Sequence, residues 1–164
     1  MERTTSDVVL AEFLKDRQNF EAAFDDLMPP TDELDLVTFC TDERRYMLAA
    51  YADGALQPFA MFVYVPENSV MFQVHTLAMP SARGTGLVAS AARASLEWMF
   101  SHTECQKVMT WVPEFNKPAL KLALKVGMTM EGTCRKSFYK NGGLIDQYLL
   151  GISSKEVECL SAQV

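Results

Sequence analysis

The chain has 164 residues, 49% of them apolar, and a net charge of −6; that is enough for one domain with a sizeable core and argues against global disorder. Its longest apolar run, FAMFVYV, is far short of the roughly 20 residues that cross a bilayer, and the polar start MERTTSD carries no secretory signal; no membrane partner is expected, and Cys40, Cys105, Cys134 and Cys159 are expected as reduced thiols in a cytoplasmic protein. Residues 1–45 hold 12 acidic and 5 basic residues, a balance that argues against nucleic acid and suits a cationic partner such as a basic protein or peptide.

In chain order, Val9, Phe13, Phe20 and Phe24 recur at helical spacing behind the cap-like Ser6 and Asp7. They predict one helix over 6–28, ended by Pro29-Pro30. Residues 36–40 fit a short helix or a strand. Three strand-like runs follow, over 46–51, 57–65 and 70–79, with turns at Asp53-Gly54 and at PENS, which predicts an antiparallel meander. Next come a helix over 86–101, a buried strand over 107–112, and a helix over 116–126 capped by Asn116 and closed by Gly127. Strands over 128–139 and 144–150 are joined by KNGG, a hairpin signal. No strand is read before the first helix. From Ser153 the chain reads as polar and loose, so residues 1–152 are expected as the domain and 153–164 as a tail.

The unit over 70–112 must cross over and pair in parallel. The expected fold is therefore α+β, a single mixed, mostly antiparallel sheet of six to seven strands with helices on both faces. The last hairpin leaves an edge on which a homodimer could form.

The stretch LAMPSARGTGL sets an arginine and two glycines just before a helix, the sequence form of an anion cradle. The G-x-x-x-x-G-K-[ST] phosphate loop is absent. Gly84 to Ala89 fits G-x-G-x-x-A, but four residues separate the strand from the first glycine, and one crossover unit is too few for a dinucleotide fold. Arg83-Gly84-Thr85-Gly86-Leu87-Val88 resembles the acetyl-CoA diphosphate loop of the GCN5-related N-acetyltransferases (GNAT). NKPALKLALKVGMTMEGTCR resembles a downstream pattern of that family through Asn116, Ala119, Leu122, Lys125, Gly127, Glu131, Gly132 and Arg135. NGGLIDQY is similar to the branch that acetylates ribosomal proteins and protein N-termini.

The resemblance implies acetyl-CoA as cofactor and the acyl-CoA N-acyltransferase fold. It places Arg83, Gly84, Thr85, Gly86, Leu87 and Val88 around the diphosphate. It sets the main chain of Leu77, Ala78 and Met79 against the pantetheine, Asn116 near the cofactor, and Lys121 or Lys117 near the 3′-phosphate. Two residues depart from the pattern. Val88 replaces the usual small residue and is expected to crowd the diphosphate. Ala123 stands where many members carry a tyrosine that protonates the leaving thiolate.

The implied reaction is transfer of acetyl to a primary amine, on a protein N-terminus, a lysine or a small molecule. Such a reaction needs alignment, an oxyanion donor and a base. His75 is the candidate base; Tyr139, or Tyr148, is the candidate acid. His102 reads as a partner for a helix C-terminus. With two histidines in the chain, no metal site is expected, and no cysteine has an activating neighbour. The alternative is a protein of this fold that binds CoA, or serves in assembly, without catalysis.

Overall fold

A computed structural model describes residues 1–161. Seven strands form one sheet in the order β1-β2-β3-β4-β5-β7-β6. The strands are β1 (Glu2–Arg3), β2 (Tyr46–Ala50), β3 (Ala60–Pro66), β4 (Met71–Ala78), β5 (Lys107–Pro113), β6 (Thr129–Lys140) and β7 (Gly143–Ser153). All neighbours pair antiparallel except β4 and β5. The expected α+β architecture is present, at the upper end of the expected strand number. β1 is the strand the sequence did not reveal. Two residues, Glu2 opposite Ala49 and Arg3 opposite Leu48, are too few to show an alternating pattern.

The helix expected over 6–28 is two helices, α1 (Asp7–Leu14) and α2 (Arg17–Ala23). Ser6 caps the first by accepting the Val9 N–H at 3.2 Å. Asp16 starts the second by accepting the Asn19 N–H at 3.0 Å. An aspartate that bonds a nearby N–H ends one helix and begins another. The ambiguous segment is helical, α3 (Leu36–Thr41), capped by Asp35 on the Thr38 N–H at 3.0 Å. Beyond the meander lie α4 (Leu87–His102) and α5 (Lys117–Lys125). The segment read as loose from Ser153 instead forms α6 (Ser154–Ser161), with Val157 buried; residues 162–164 lie outside the described residues.

Alternation along the central strands separates two cores. Phe62, Tyr64 and Val74 face α4 and α5, joined by Leu96, Met99 and Leu150. Met61, Val63 and Leu77 face α1 to α3, joined by Leu10, Phe13 and Leu14. Asn141-Gly142, at φ 52° and 82°, makes the tight turn between β6 and β7 that the hairpin signal implied. Among the described residues no helix is long and apolar enough to cross a membrane.

Leu150 is fully buried on β7, under the α4 and α5 layer. Leu150→Ala is expected to cost about 2–5 kcal/mol through lost transfer energy and a residual cavity, read as a lower urea midpoint at unchanged slope.

Candidate active site

The parallel ladder between β4 and β5 is three residues long, from Met71 opposite Lys107 to Gln73 opposite Met109. Past that point β4 stays with β3 as far as Ala78, and β5 stays with β7 as far as Pro113. The two strands therefore part, and a narrow cleft of about 70 Å³, open at its mouth, lies between them. Val74, Thr76, Val112, Asn116, Ala119 and Ala123 are among its walls.

The main chain of β4 offers this cleft fewer groups than the resemblance implied. The Met79 N–H donates to Phe59 C=O on the β3 side at 2.9 Å. Leu77 sits opposite Met61 on that side as well. By the alternation of an extended strand, Thr76 and Ala78 turn their polar groups toward the cleft. Those of Ala78 are held by Asn19: its Oδ1 accepts the Ala78 N–H at 3.2 Å, and its Nδ2 donates to Ala78 C=O at 3.1 Å. Nδ2 also donates to Phe13 C=O at 2.9 Å. Asn19 is buried, and a buried carboxamide must be satisfied in this way.

After β4 the chain makes a short turn at Pro80–Ala82 and reaches Gly84 at φ 76° and Gly86 at φ 87°. Such left-handed geometry is cheap only for glycine. A Cβ on either glycine would meet nothing within 4 Å, so the space above the loop is open. Gly86 starts α4 and offers no side-chain cap. Two of the loop's donors are used internally. The Thr85 N–H reaches Ala82 C=O at 3.4 Å, and the Leu87 N–H reaches Thr85 Oγ1 at 3.3 Å. Among the described residues no protein group accepts the N–H of Gly84, Gly86 or Val88. Three free donors at the head of a sixteen-residue helix make an anion cradle.

Val88 does not crowd that cradle. Its side chain is 8% exposed and packs in the core with Ala91, Ala92 and Leu96, while Leu87 points outward. The first turn of α4 thus sends the branched side chain inward and leaves its N–H free.

The Arg83 side chain does not face the loop. Its Nη1 donates to Gln18 Oε1 at 2.8 Å; its Nη2 donates to Ala78 C=O at 2.8 Å, to Asn19 Oδ1 at 3.2 Å and to the Asp16 carboxylate. The Arg83 N–H is also used, by Pro80 C=O at 3.3 Å. Partial burial pushes the Asp16 carboxyl up, but the bonds from Arg83 and from the Asn19 N–H outweigh it and hold its pKa below the ordinary value. Arg83 is a strut between the loop, the end of β4 and the start of α2.

His75 lies where the cleft meets a second cavity, beneath α1 to α3, and lines both. Desolvation by the surrounding side chains lowers its pKa from the ordinary 6.5, so the imidazole is neutral at neutral pH. Asn116 caps α5 through the Ala119 N–H at 3.2 Å and also lines the cleft, so the capping and cofactor roles are compatible. Lys121 is exposed on α5. Lys117 stacks its ammonium over the Tyr148 ring at 5.5 Å.

Tyr139 is not brought to the cleft. It pairs with Leu144 near the hairpin turn, and its carbonyl accepts the Asp26 N–H at 3.1 Å. The tyrosine that does line the cleft is Tyr64, fully buried, with its hydroxyl 2.7 Å from Ser95 Oγ. Burial pushes that phenol well above its usual range. His102 ends α4 and stacks on Trp98. Among the described residues no cluster of three or more His, Cys, Asp or Glu is placed to hold a metal. Cys40 and Cys105 are pushed up to about 11 by burial, which leaves them inert as nucleophiles.

The sequence did not single out Asn19, Asp16 or Trp111. An asparagine inside a helix reads as solvated, and a tryptophan in a strand reads as core. Trp111 lines the cleft and also a neighbouring mouth shared with Gln73, Phe24 and Phe138.

Residues 11–128, well over half the chain, match the model of the acetyltransferase (GNAT) family. The chain belongs to that family. A 76-residue stretch is 33% identical to an SPbeta prophage-derived uncharacterized N-acetyltransferase of Bacillus subtilis (strain 168) and covers 46% of this chain and 43% of that relative. The fold is similar to that of a spermidine N-acetyltransferase from Vibrio cholerae, solved with CoA and spermine, at TM-score 0.79 and 16% identity over 93% of this chain and 92% of that one. It is also similar to a ribosomal-protein-S5-alanine acetyltransferase from Vibrio fischeri, at TM-score 0.69 and 16% identity over 90% and 87%. At these identities the likeness is one of fold, and it does not separate the two branches.

Gly86→Asp tests the GNAT loop. The variant sets a carboxylate into the anion cradle and forces a side chain onto φ 87°. The expected outcome is loss of the rise in melting temperature that CoA confers on the parent; an unchanged rise would place CoA elsewhere.

Proposed function

We propose that the chain is an acetyl-CoA-dependent N-acetyltransferase acting on a primary amine. The observation that carries this reading is the pairing of a strand splay with three unclaimed N–H groups at the head of α4. A diphosphate fits the cradle, and an extended amide-bearing arm fits the open side of β4. The free N–H groups of Gly84, Gly86 and Val88 bind the diphosphate, with the α4 dipole behind them. Thr76, and Ala78 once Asn19 yields, take the amides of the arm as an added strand would. Asn116 keeps its Nδ2 for the cleft while its Oδ1 serves α5. Lys121, exposed on α5, serves the 3′-phosphate.

Bound acetyl-CoA supplies the acetyl group as a thioester. His75 takes the proton that the attacking amine must lose. Its depressed pKa keeps it in the base form at neutral pH. Ala123 offers the departing sulfur no proton, and none is required, because a thiol with pKa about 8.5 leaves readily as the thiolate. The ribosomal-protein branch suggested by NGGLIDQY rests on that hairpin sequence alone, so the acceptor class is argued separately from the cavity beside His75.

The test is thiol release from acetyl-CoA across a pH series. The kcat/KM value should fall on acidification, with its limb centred below 6.5, the ordinary histidine value. His75→Gln should lower kcat by roughly a hundredfold or more and flatten that limb, with the KM for acetyl-CoA little changed. An unaltered profile would remove His75 from the mechanism.

A further inference from the structure

The second cavity that His75 lines has a different character from the cleft. It holds about 230 Å³ between β3, β4 and the three N-terminal helices, below the roughly 300–1,000 Å³ usual for drug-sized ligands and of a size for a smaller molecule. Leu14, Phe24, Leu36, Phe39 and Val63 are among its walls. Among the described residues its only titratable wall groups are His75 and Asp35, and Asp35 Oδ1 caps α3 by accepting the Thr38 N–H. Cavity and cleft meet at Ala23, His75 and Leu77, which line both.

We propose, building on the acetyltransferase reading, that this chamber seats the acceptor, and that the acceptor is a small primary amine with one amino group and an apolar body, aromatic or branched aliphatic. The amino nitrogen lies at His75, where chamber and cleft join, and the body fills the space beneath α1 to α3. Three acceptor classes were open from the sequence. A polyamine would bring a second ammonium into a chamber whose one carboxylate, Asp35, is exposed and caps α3, so an ammonium buried among the apolar walls would lie unpaired, which is costly. A peptide N-terminus would bring main-chain amides that the leucine, phenylalanine and valine walls cannot satisfy.

Of the twelve acidic residues in 1–45, only Asp35 lines the chamber, and six of the others are engaged elsewhere. Glu12, Asp16, Glu21, Asp26 and Asp42 are paired with Lys15, Arg83, Arg17, Lys140 and Arg44. The Asp25 carboxylate accepts the Leu27 N–H at 2.9 Å. A monoamine leaves nothing in the chamber unpaired. The same desolvation that keeps His75 neutral favours the neutral, nucleophilic form of the amine. In the transfer, the C–N bond forms as the C–S bond breaks; the amine proton goes to His75 and the electron pair of the C–S bond leaves on sulfur.

The deciding experiment measures thiol release from acetyl-CoA with 2-phenylethylamine, hexylamine, spermidine and an alanine-initiated octapeptide, alongside melting temperatures with CoA and with each amine. The proposal expects kcat/KM for the two apolar monoamines to exceed the others by roughly tenfold or more. In Leu34→Glu, which sets a charge in the chamber wall, KM for 2-phenylethylamine should rise by about tenfold, while the thermal rise given by CoA stays as in the parent. Faster turnover of spermidine or of the peptide would overturn the chamber assignment and leave the acetyltransferase reading intact. No thermal rise with CoA would overturn the acetyltransferase reading itself. In that case a rise with 2-phenylethylamine, lost in Leu34→Glu, would still support the chamber as an amine site, and its absence would overturn it.

Discussion

β4 and β5 share only three residue pairs before each turns to its other neighbour. Everything functional in this molecule depends on that short ladder. Had it continued, the main-chain groups of Thr76 and Ala78 would be consumed by β5, and the sheet would be closed. Because it stops, one strand edge faces inward across a cleft, and α4 and α5 approach from one side while α1 to α3 approach from the other. The wedge also explains why His75 touches two cavities: the gap between the strands passes through the sheet.

The separation is braced rather than loose. Arg83 leaves the loop ahead of α4 and ends among Gln18, Asn19, Asp16 and Ala78 C=O. One guanidinium thereby ties the anion cradle, the end of β4 and the start of α2. Groups on the two sides of the reaction centre share a hydrogen-bond network, so displacing Asn19 at the cleft bears on α2, and α2 borders the chamber through Ala23. The two substrates would thus be sensed by overlapping sets of bonds.

Local chemistry was legible in the sequence; long-range satisfaction was not. Gly84 and Gly86, the Asn116 cap and the Asn141-Gly142 turn are rules of a few residues, and each does what its neighbours imply. The split between α1 and α2 is different. Asp16 becomes a cap partly because Arg83, 67 positions away, fixes its carboxylate. Asn19 is unremarkable until Ala78 is placed beside it. The inward turn of Val88 depends on the phase of α4, which one residue of uncertainty at the helix start reverses. Tyr139 looked well placed because it stands near a hairpin, yet the hairpin projects it away from the splay. α6 was missed because SKEVECLS is short and mostly polar and gives little periodicity to read.

The Asn19 carboxamide has a consequence for the chain in the absence of any ligand. An inward strand edge with a bare N–H and C=O is a template on which a foreign strand can add, the usual first step of edge-to-edge aggregation. Asn19 presents to Ala78 the same donor and acceptor that a peptide unit would, and so occupies the edge with a group too short to propagate a ladder. A ligand amide would make the same two bonds to Ala78, so those lost from Asn19 are replaced at that position. A single side chain therefore acts as a removable stopper, protecting solubility without closing the groove.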